Sequence, residues 1–204
     1  MTKKPPFNLI ILGDPAAGKG TQADKLARRY RMYDLDMGRE VKKPAALAQY
    51  DYAHTTAIGK LTPTVVVRKI FKDAVVSVPA TQGIVFNGTP KMVNEAHLVA
   101  RLLAENKRTD PLVIYIRIPM RETIRRAEKR REYVNGQLTK RDDDSRRALM
   151  NRRRYYKEQI ARVVEFFRER YEFRNISGMG SEAEVAARIG AVVKRYKDKH
   201  DRSH

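Results

Sequence analysis

Apolar residues along this chain fall into two textures. Short continuous runs at 7–12 ("FNLIIL"), 83–88 ("GIVFNG") and 112–119 ("LVIYIRIP") have the length and burial pattern of strands covered on both faces. A further short strand is expected at 173–178, "FRNISG". Between these runs the apolar positions recur at helical spacing. Helices are predicted at "GKGTQADKLARRY", 65–78, "MVNEAHLVARLLAENK", "RETIRRAEKRR" and about 143–170. For 65–78 the β-branched content argues strand, but length and charged insertions favour helix. The second offers Val93, Leu98, Leu102 and Leu103 for burial; the last offers Leu149, Ile160, Val163, Val164, Phe166 and Phe167. "SEAEVAARIGAVVKRY" opens with Ser181 as an N-cap and Glu184 at capping-box spacing. "EYVNGQLTK" carries an Asn-Gly turn signal and reads as a compact loop or hairpin. Strands alternating with helices imply a parallel sheet covered on both faces, with active loops at the strand C-terminal ends.

Composition narrows the chemistry. The 204 residues suffice for one sizeable α/β domain, and 42% hydrophobic content fits an ordinary globular chain. The chain has no cysteine, which removes disulfides, thiolate catalysis and any Cys-built zinc site. The four histidines lack ligand-like spacing. No apolar run is long enough to span a membrane. The start "MTKKPPFNL" reads as a short tail before the first strand, so cytoplasmic residence is the default expectation. Residues 198–204 read as a polar, frayed tail beyond a single domain at 1–197. The net charge of +19 fits a polyphosphate substrate, nucleic-acid binding or a basic proteome.

The most informative stretch is "LIILGDPAAGKGTQA" (9–23), with Gly13, Pro15, Ala16, Ala17, Gly18, Lys19, Gly20, Thr21 and Gln22 between the first strand and first helix. Backbone N–H groups at a helix N-terminus, approached closely through glycines, form a site for phosphate oxygens. Lys19 adds a mobile cation for the β- and γ-phosphates; Thr21, and less directly Gln22, serve magnesium or the phosphates. The common spelling G-x-x-x-x-G-K-[ST] is broken by Gly20.

That departure is informative, because "GDPAAGKGTQA" resembles the adenylate kinase loop G-x-P-G-x-G-K-G-T-Q. Ordered matches continue down the chain. "DMGREVK" (36–42) stands where the family has S-T-G-D-x-x-R after its second strand, "GKLTP" (59–63) stands for G-K-L-V-P, and "NGTPKM" (87–92) stands for D-G-F-P-R-T. Arg126 and Arg130 have the spacing of the family's arginine pair, and "RDDD" (141–144) matches R-x-D-D. Arg152 and Tyr156 follow on a helix, and "ISGMGSEAEV" (176–185) resembles the closing glycine segment.

The resemblance implies a P-loop NTPase fold: three α/β/α layers around a five-stranded parallel sheet, with a monophosphate-binding segment near 36–65 and a short lid near 131–141. It implies ATP-dependent phosphoryl transfer to a nucleoside monophosphate, AMP first, with magnesium and no zinc. Lys19, Arg130, Arg141 and Arg152 would act on the phosphates, Asp143 would orient the lid arginines, and Arg126 and Met179 would lie against ATP. On the acceptor side it points to Met37, Gly38, Lys42, Lys60, Leu61, Thr62, Gly88, Lys91, Glu95, Arg141 and Arg152. Here the chain departs from the family: Met37 stands for threonine, Lys42 and Lys91 for arginines, Glu95 for glutamine, and Asn87 and Arg39 for aspartates. Lysine binds phosphate as a point charge and lacks the bidentate fork, and an ionised Glu95 accepts but does not donate. CMP, UMP or another monophosphate therefore stays an alternative acceptor, and a weakly active nucleotide- or nucleic-acid-binding relative an alternative role. A monomer is the simplest expectation.

Overall fold

The computed structural model describes residues 6–56, 60, 62–129, 131–134, 137–140 and 146–202; for 131–134, 137–140 and 146–157 only the backbone is described. The chain order is β1 (Asn8–Gly13), α1 (Lys19–Tyr30), β2 (Tyr33–Asp36), α2 (Met37–Glu40), α3 (Pro44–Leu47), α4 (Thr64–Ser77), β3 (Ile84–Asn87) and α5 (Val93–Glu105). It continues with β4 (Pro111–Arg117), α6 (Met120–Lys129), β5 (Arg131–Val134), β6 (Gln137–Lys140), α7 (Arg146–Arg170), β7 (Phe173–Ser177) and α8 (Glu182–Arg202).

Five strands form one parallel sheet in the order β2-β3-β1-β4-β7. β1 is central and buried along its whole length, which explains its unbroken apolar sequence. Its side chains alternate between two cores. Ile10 and Leu12 face one that includes Phe71, Phe86 and Phe167, under α4, α5 and α7. Leu9 and Ile11 face the other, with Leu26 of α1 and Ile189 and Val193 of α8. The helical reading of 65–78 holds, with Val66, Val67, Ile70, Phe71, Ala74 and Val75 forming the buried face of α4. Ile160, Val163, Phe166 and Phe167 of α7 are buried as expected.

Two features depart from the sequence reading. β2 carries no apolar run, because it is a four-residue edge strand in which only Leu35 is buried. The resemblance alone required a strand there. α8 continues past Lys197 to Arg202, where a frayed tail was expected. Within that extension Lys197 pairs with Asp201 one turn on, and the His200 ring lies 6.3 Å from Tyr196. "EYVNGQLTK" forms an antiparallel hairpin of β5 and β6, with Glu132 opposite Thr139.

Asn8 fixes the entry of the central strand. Its Nδ2 donates to the Thr109 carbonyl at 2.8 Å, and its Oδ1 accepts from the Ile84 N–H at 3.0 Å, so one fully buried amide ties β1 to β3 and to the approach of β4. Replacing Asn8 by Ala leaves those buried backbone groups unpaired. Urea unfolding of Asn8→Ala is expected to show a loss of about 1–3 kcal/mol with little change in the slope of free energy against denaturant.

Candidate active site

The phosphate loop is built by a close approach between β1 and β4. Gly13 has φ 151°, and a Cβ there would collide with the Ile116 carbonyl oxygen, so no larger residue fits. Asp14 then pins the loop to β4. Its backbone N–H donates to the Ile116 carbonyl at 3.0 Å, and its two carboxylate oxygens accept from the Tyr115 hydroxyl and the Ile118 N–H, each at 2.8 Å. That carboxylate is committed to structure. Beyond the half-buried Pro15, Ala16 and Gly18 take left-handed conformations, φ 57° and 85°, and turn the chain into α1, while Ala17 is buried. Alanine in that conformation carries about 1–2 kcal/mol of strain. The matching family position is glycine, a signal already visible in the sequence.

α1 starts with Gly18 as its N-cap, without a side-chain cap among the described residues and without an acid in its first turn. The positive end of the helix therefore faces the loop. The Lys19 ammonium folds over it, donating to the Gly13 and Asp14 carbonyls at 2.9 and 2.8 Å. Gly88, just past β3, lies alongside, since a Cβ there would sit 3.6 Å from Lys19 Cε. Gly20 and Thr21 are exposed at the helix start. Gln22 beside them is buried, and its Nε2 donates to the Glu182 carbonyl at 3.2 Å, tying α1 to the start of α8.

A cavity of about 310 Å³ opens beside this loop, bounded by Ala16–Gly18, Thr21 and Gln22, by Arg125 and Arg126 of α6, and by Gly178, Gly180, Ser181, Glu182 and Val185. Arg126 is fixed there: its Nε donates to Glu122 at 2.5 Å and its Nη2 to the Gly178 carbonyl at 2.9 Å. Glu122 also takes a fork of bonds from Arg125, at 2.7 and 2.6 Å. The hydrogen bonds from Arg125 and then Arg126 hold its carboxyl down at about 2, from an ordinary 4.5. Met179 sits in the adjoining turn, exposed, with its carbonyl held by Arg188 at 2.6 Å, and does not line this cavity. The expected capping box is present, with Ser181 N–H donating to Glu184 at 2.7 Å and Glu184 N–H to Ser181 at 3.3 Å. A larger groove of about 390 Å³ lies between α4 and α5, lined by Arg68, Asn94, His97, Leu98 and Arg101; no phosphate-loop residue reaches it.

Of the acceptor-side residues, Met37 is buried at the start of α2, which Asp36 caps by accepting from Gly38 N–H at 2.8 Å. Gly38, Lys42, Lys60 and Lys91 are exposed. Thr62 pairs with Thr56 at 2.9 Å. Glu95 is placed otherwise than expected. It is 4% exposed, and its Oε2 accepts from the Lys91 and Met92 N–H groups at 2.9 and 3.2 Å, so one oxygen caps α5 and is unavailable to a base. Burial raises its pKa against the opposing pull of those bonds. Arg130, Arg141, Asp143 and Leu61 lie outside the described residues, and Arg152 is described only as part of the α7 backbone. Missed in the sequence was Asp34 on the edge strand. Its carboxylate accepts from Arg39 at 2.8 Å and from Asn87 Nδ2 at 3.2 Å.

The adenylate kinase family model matches residues 11–172. An adenylate kinase of Porphyromonas gingivalis is 27% identical over 195 residues, covering 94% of this chain and 97% of its own. One of Azobacteroides pseudotrichonymphae is 30% identical, covering 90% and 95%, and one of Parvibaculum lavamentivorans 31% identical, covering 92% of each.

The depressed Glu122 carboxyl gives a signed pH test. A folded pKa below the unfolded one stabilises the protein above about pH 4.5, and that contribution drains as pH falls toward 2. Glu122→Gln should be less stable than the parent in denaturant unfolding at pH 6. The gap should close between pH 4.5 and 2, and a gap independent of pH would contradict the assignment.

Proposed function

Because this chain belongs to the adenylate kinase family, we propose that it carries out the reversible, magnesium-dependent transfer of the ATP γ-phosphoryl group to AMP, giving two ADP. The observation that carries the reading is the uncapped N-terminus of α1, with Lys19 folded over the loop and Arg126 fixed across the neighbouring cavity. Such transfer asks the protein chiefly for alignment and for charge stabilisation of the phosphoryl oxygens. In this reading the α1 amides and Lys19 hold the β- and γ-phosphates, and Arg126 lies against the donor nucleotide. Met179 flanks the nucleotide from the adjoining turn.

Arg130, Arg141 and Arg152 carry over by resemblance as the cations that grip both phosphate chains, oriented by Asp143, with 131–141 as the lid that excludes water. The acceptor phosphate meets Lys42 and Lys91, with Met37, Gly38, Lys60, Leu61, Thr62 and Gly88 around the nucleoside. Among the described residues no cluster of three or more His, Asp or Glu is placed to hold a metal. Magnesium carried by the nucleotide would be held through the exposed Thr21 hydroxyl. When bound, it neutralises phosphate charge.

The reading extends to a cytoplasmic monomer acting in nucleotide biosynthesis. Among the described residues no helix is long and apolar enough to cross a membrane.

Lys19→Ala is expected to lower turnover by about 100-fold or more in a coupled ADP assay. Normal turnover in that variant would overturn the site. The same assay, run with AMP, CMP, UMP, GMP and dTMP, is expected to show AMP as the best acceptor. The net charge of +19 favours one other role, nucleic-acid binding. That role predicts an affinity for single-stranded RNA that falls steeply between low and moderate salt, and no RNA binding at low salt would exclude it.

A further inference from the structure

Asp34 sits on edge strand β2, two residues before the cap of α2 and on the same face of the strand as Asp36. Its side chain is 12% exposed, and both of its oxygens are used. Oδ2 accepts from Arg39 Nη2 at 2.8 Å, and the same nitrogen donates to the Asp34 carbonyl at 3.1 Å, so Arg39 reaches back from α2 and clamps that helix to the strand it follows. Oδ1 accepts from Nδ2 of Asn87, the last residue of β3, at 3.2 Å. Asn87 leads directly into Gly88, Thr89, Pro90 and Lys91, and Gly88 adjoins Lys19.

One carboxylate thus joins two walls. α2 and the two residues after it carry Met37, Gly38 and Lys42; the turn after β3 carries Gly88 and Lys91. The backbone register alone holds these walls weakly. β2 is four residues long at the sheet edge, and α2 is a single turn. A charge-assisted bond on a half-buried carboxylate is strong enough to matter at that junction. Burial is the largest influence and leaves the Asp34 pKa above its ordinary value, against the opposing pull of Arg39 and Asn87.

We propose that Asp34 is a positioning residue for the monophosphate acceptor: through Arg39 and Asn87 it sets the spacing between the wall that carries Lys42 and the wall that carries Lys91. It touches neither nucleotide. Its effect reaches the substrate through two lysines that lack the fork of arginine and so depend more on where they are held. This rests on the reading of 37–42 and 87–91 as the acceptor site.

The test is steady-state kinetics with ATP and AMP varied separately, alongside thermal unfolding. Asp34→Asn is expected to raise the KM for AMP at least 10-fold while changing the KM for ATP less than 2-fold. Arg39→Ala should shift the AMP value in the same direction. The reversed pair Asp34→Arg with Arg39→Asp should recover part of the AMP KM relative to Asp34→Arg alone. Equal rises in both KM values, or a lower melting temperature with both KM values unchanged, would overturn the proposal and leave Asp34 a fold residue. Lys42→Ala separates the two readings. If it raises the AMP KM and Asp34→Asn does not, the positioning role fails alone. If it leaves the AMP KM unchanged, the acceptor site itself has been misassigned.

Discussion

Everything at the donor site depends on the close passage of Gly13 against Ile116. β1 is the middle strand of the sheet, and its last residue has no room for a Cβ because the neighbouring strand's backbone is already there. Asp14 exploits that proximity with three bonds to β4 and its continuation. The loop that follows is therefore fixed at its base, and Ala16 can be held in a conformation alanine disfavours. A loop so anchored presents the start of α1 at a defined height above the sheet edge. Lys19 bonds to the carbonyls of the same anchored residues, so the cation and the amides are positioned by one constraint.

The sequence made the sheet interior and the donor loop legible for one reason: both are dictated locally. A strand buried on two faces must be apolar without interruption, as at Leu9–Leu12. A strand-to-helix turn that receives phosphate must spend glycines, as at Gly13 and Gly18. What the sequence hid is set by neighbours far away in the chain. β2 reads as "YDLD" because an edge strand needs only Leu35 inside, and Asp34 looks like any surface acid until Asn87, 53 positions on, is found beside it. Gln22 reads as part of a phosphate motif, with no local sign that its Nε2 bonds a carbonyl 160 positions away.

The acceptor side shows the same lesson at the level of substitutions. Glu95 in place of glutamine reads as a change in base recognition, yet one oxygen serves the N-terminus of α5, where a carboxylate is favoured by two backbone N–H groups and by the helix dipole. Arg39 and Asn87, each in place of an aspartate, look like two separate losses. Together with Asp34 they form one connected group, with the negative charge on the strand and the positive charge on the short helix. Substitutions that look damaging one at a time are coherent as a set.

The bond from Gln22 to Glu182 has a temporal consequence. The phosphate loop is translated before α8, and Gln22 belongs to the helix that presents it. Its partner opens the last helix, whose Val185, Ile189 and Val193 complete the core beneath Leu9 and Ile11. The nascent chain therefore carries its nucleotide motif some 160 positions ahead of the layer that supports it. Until α8 is made, that side of the supporting core is missing.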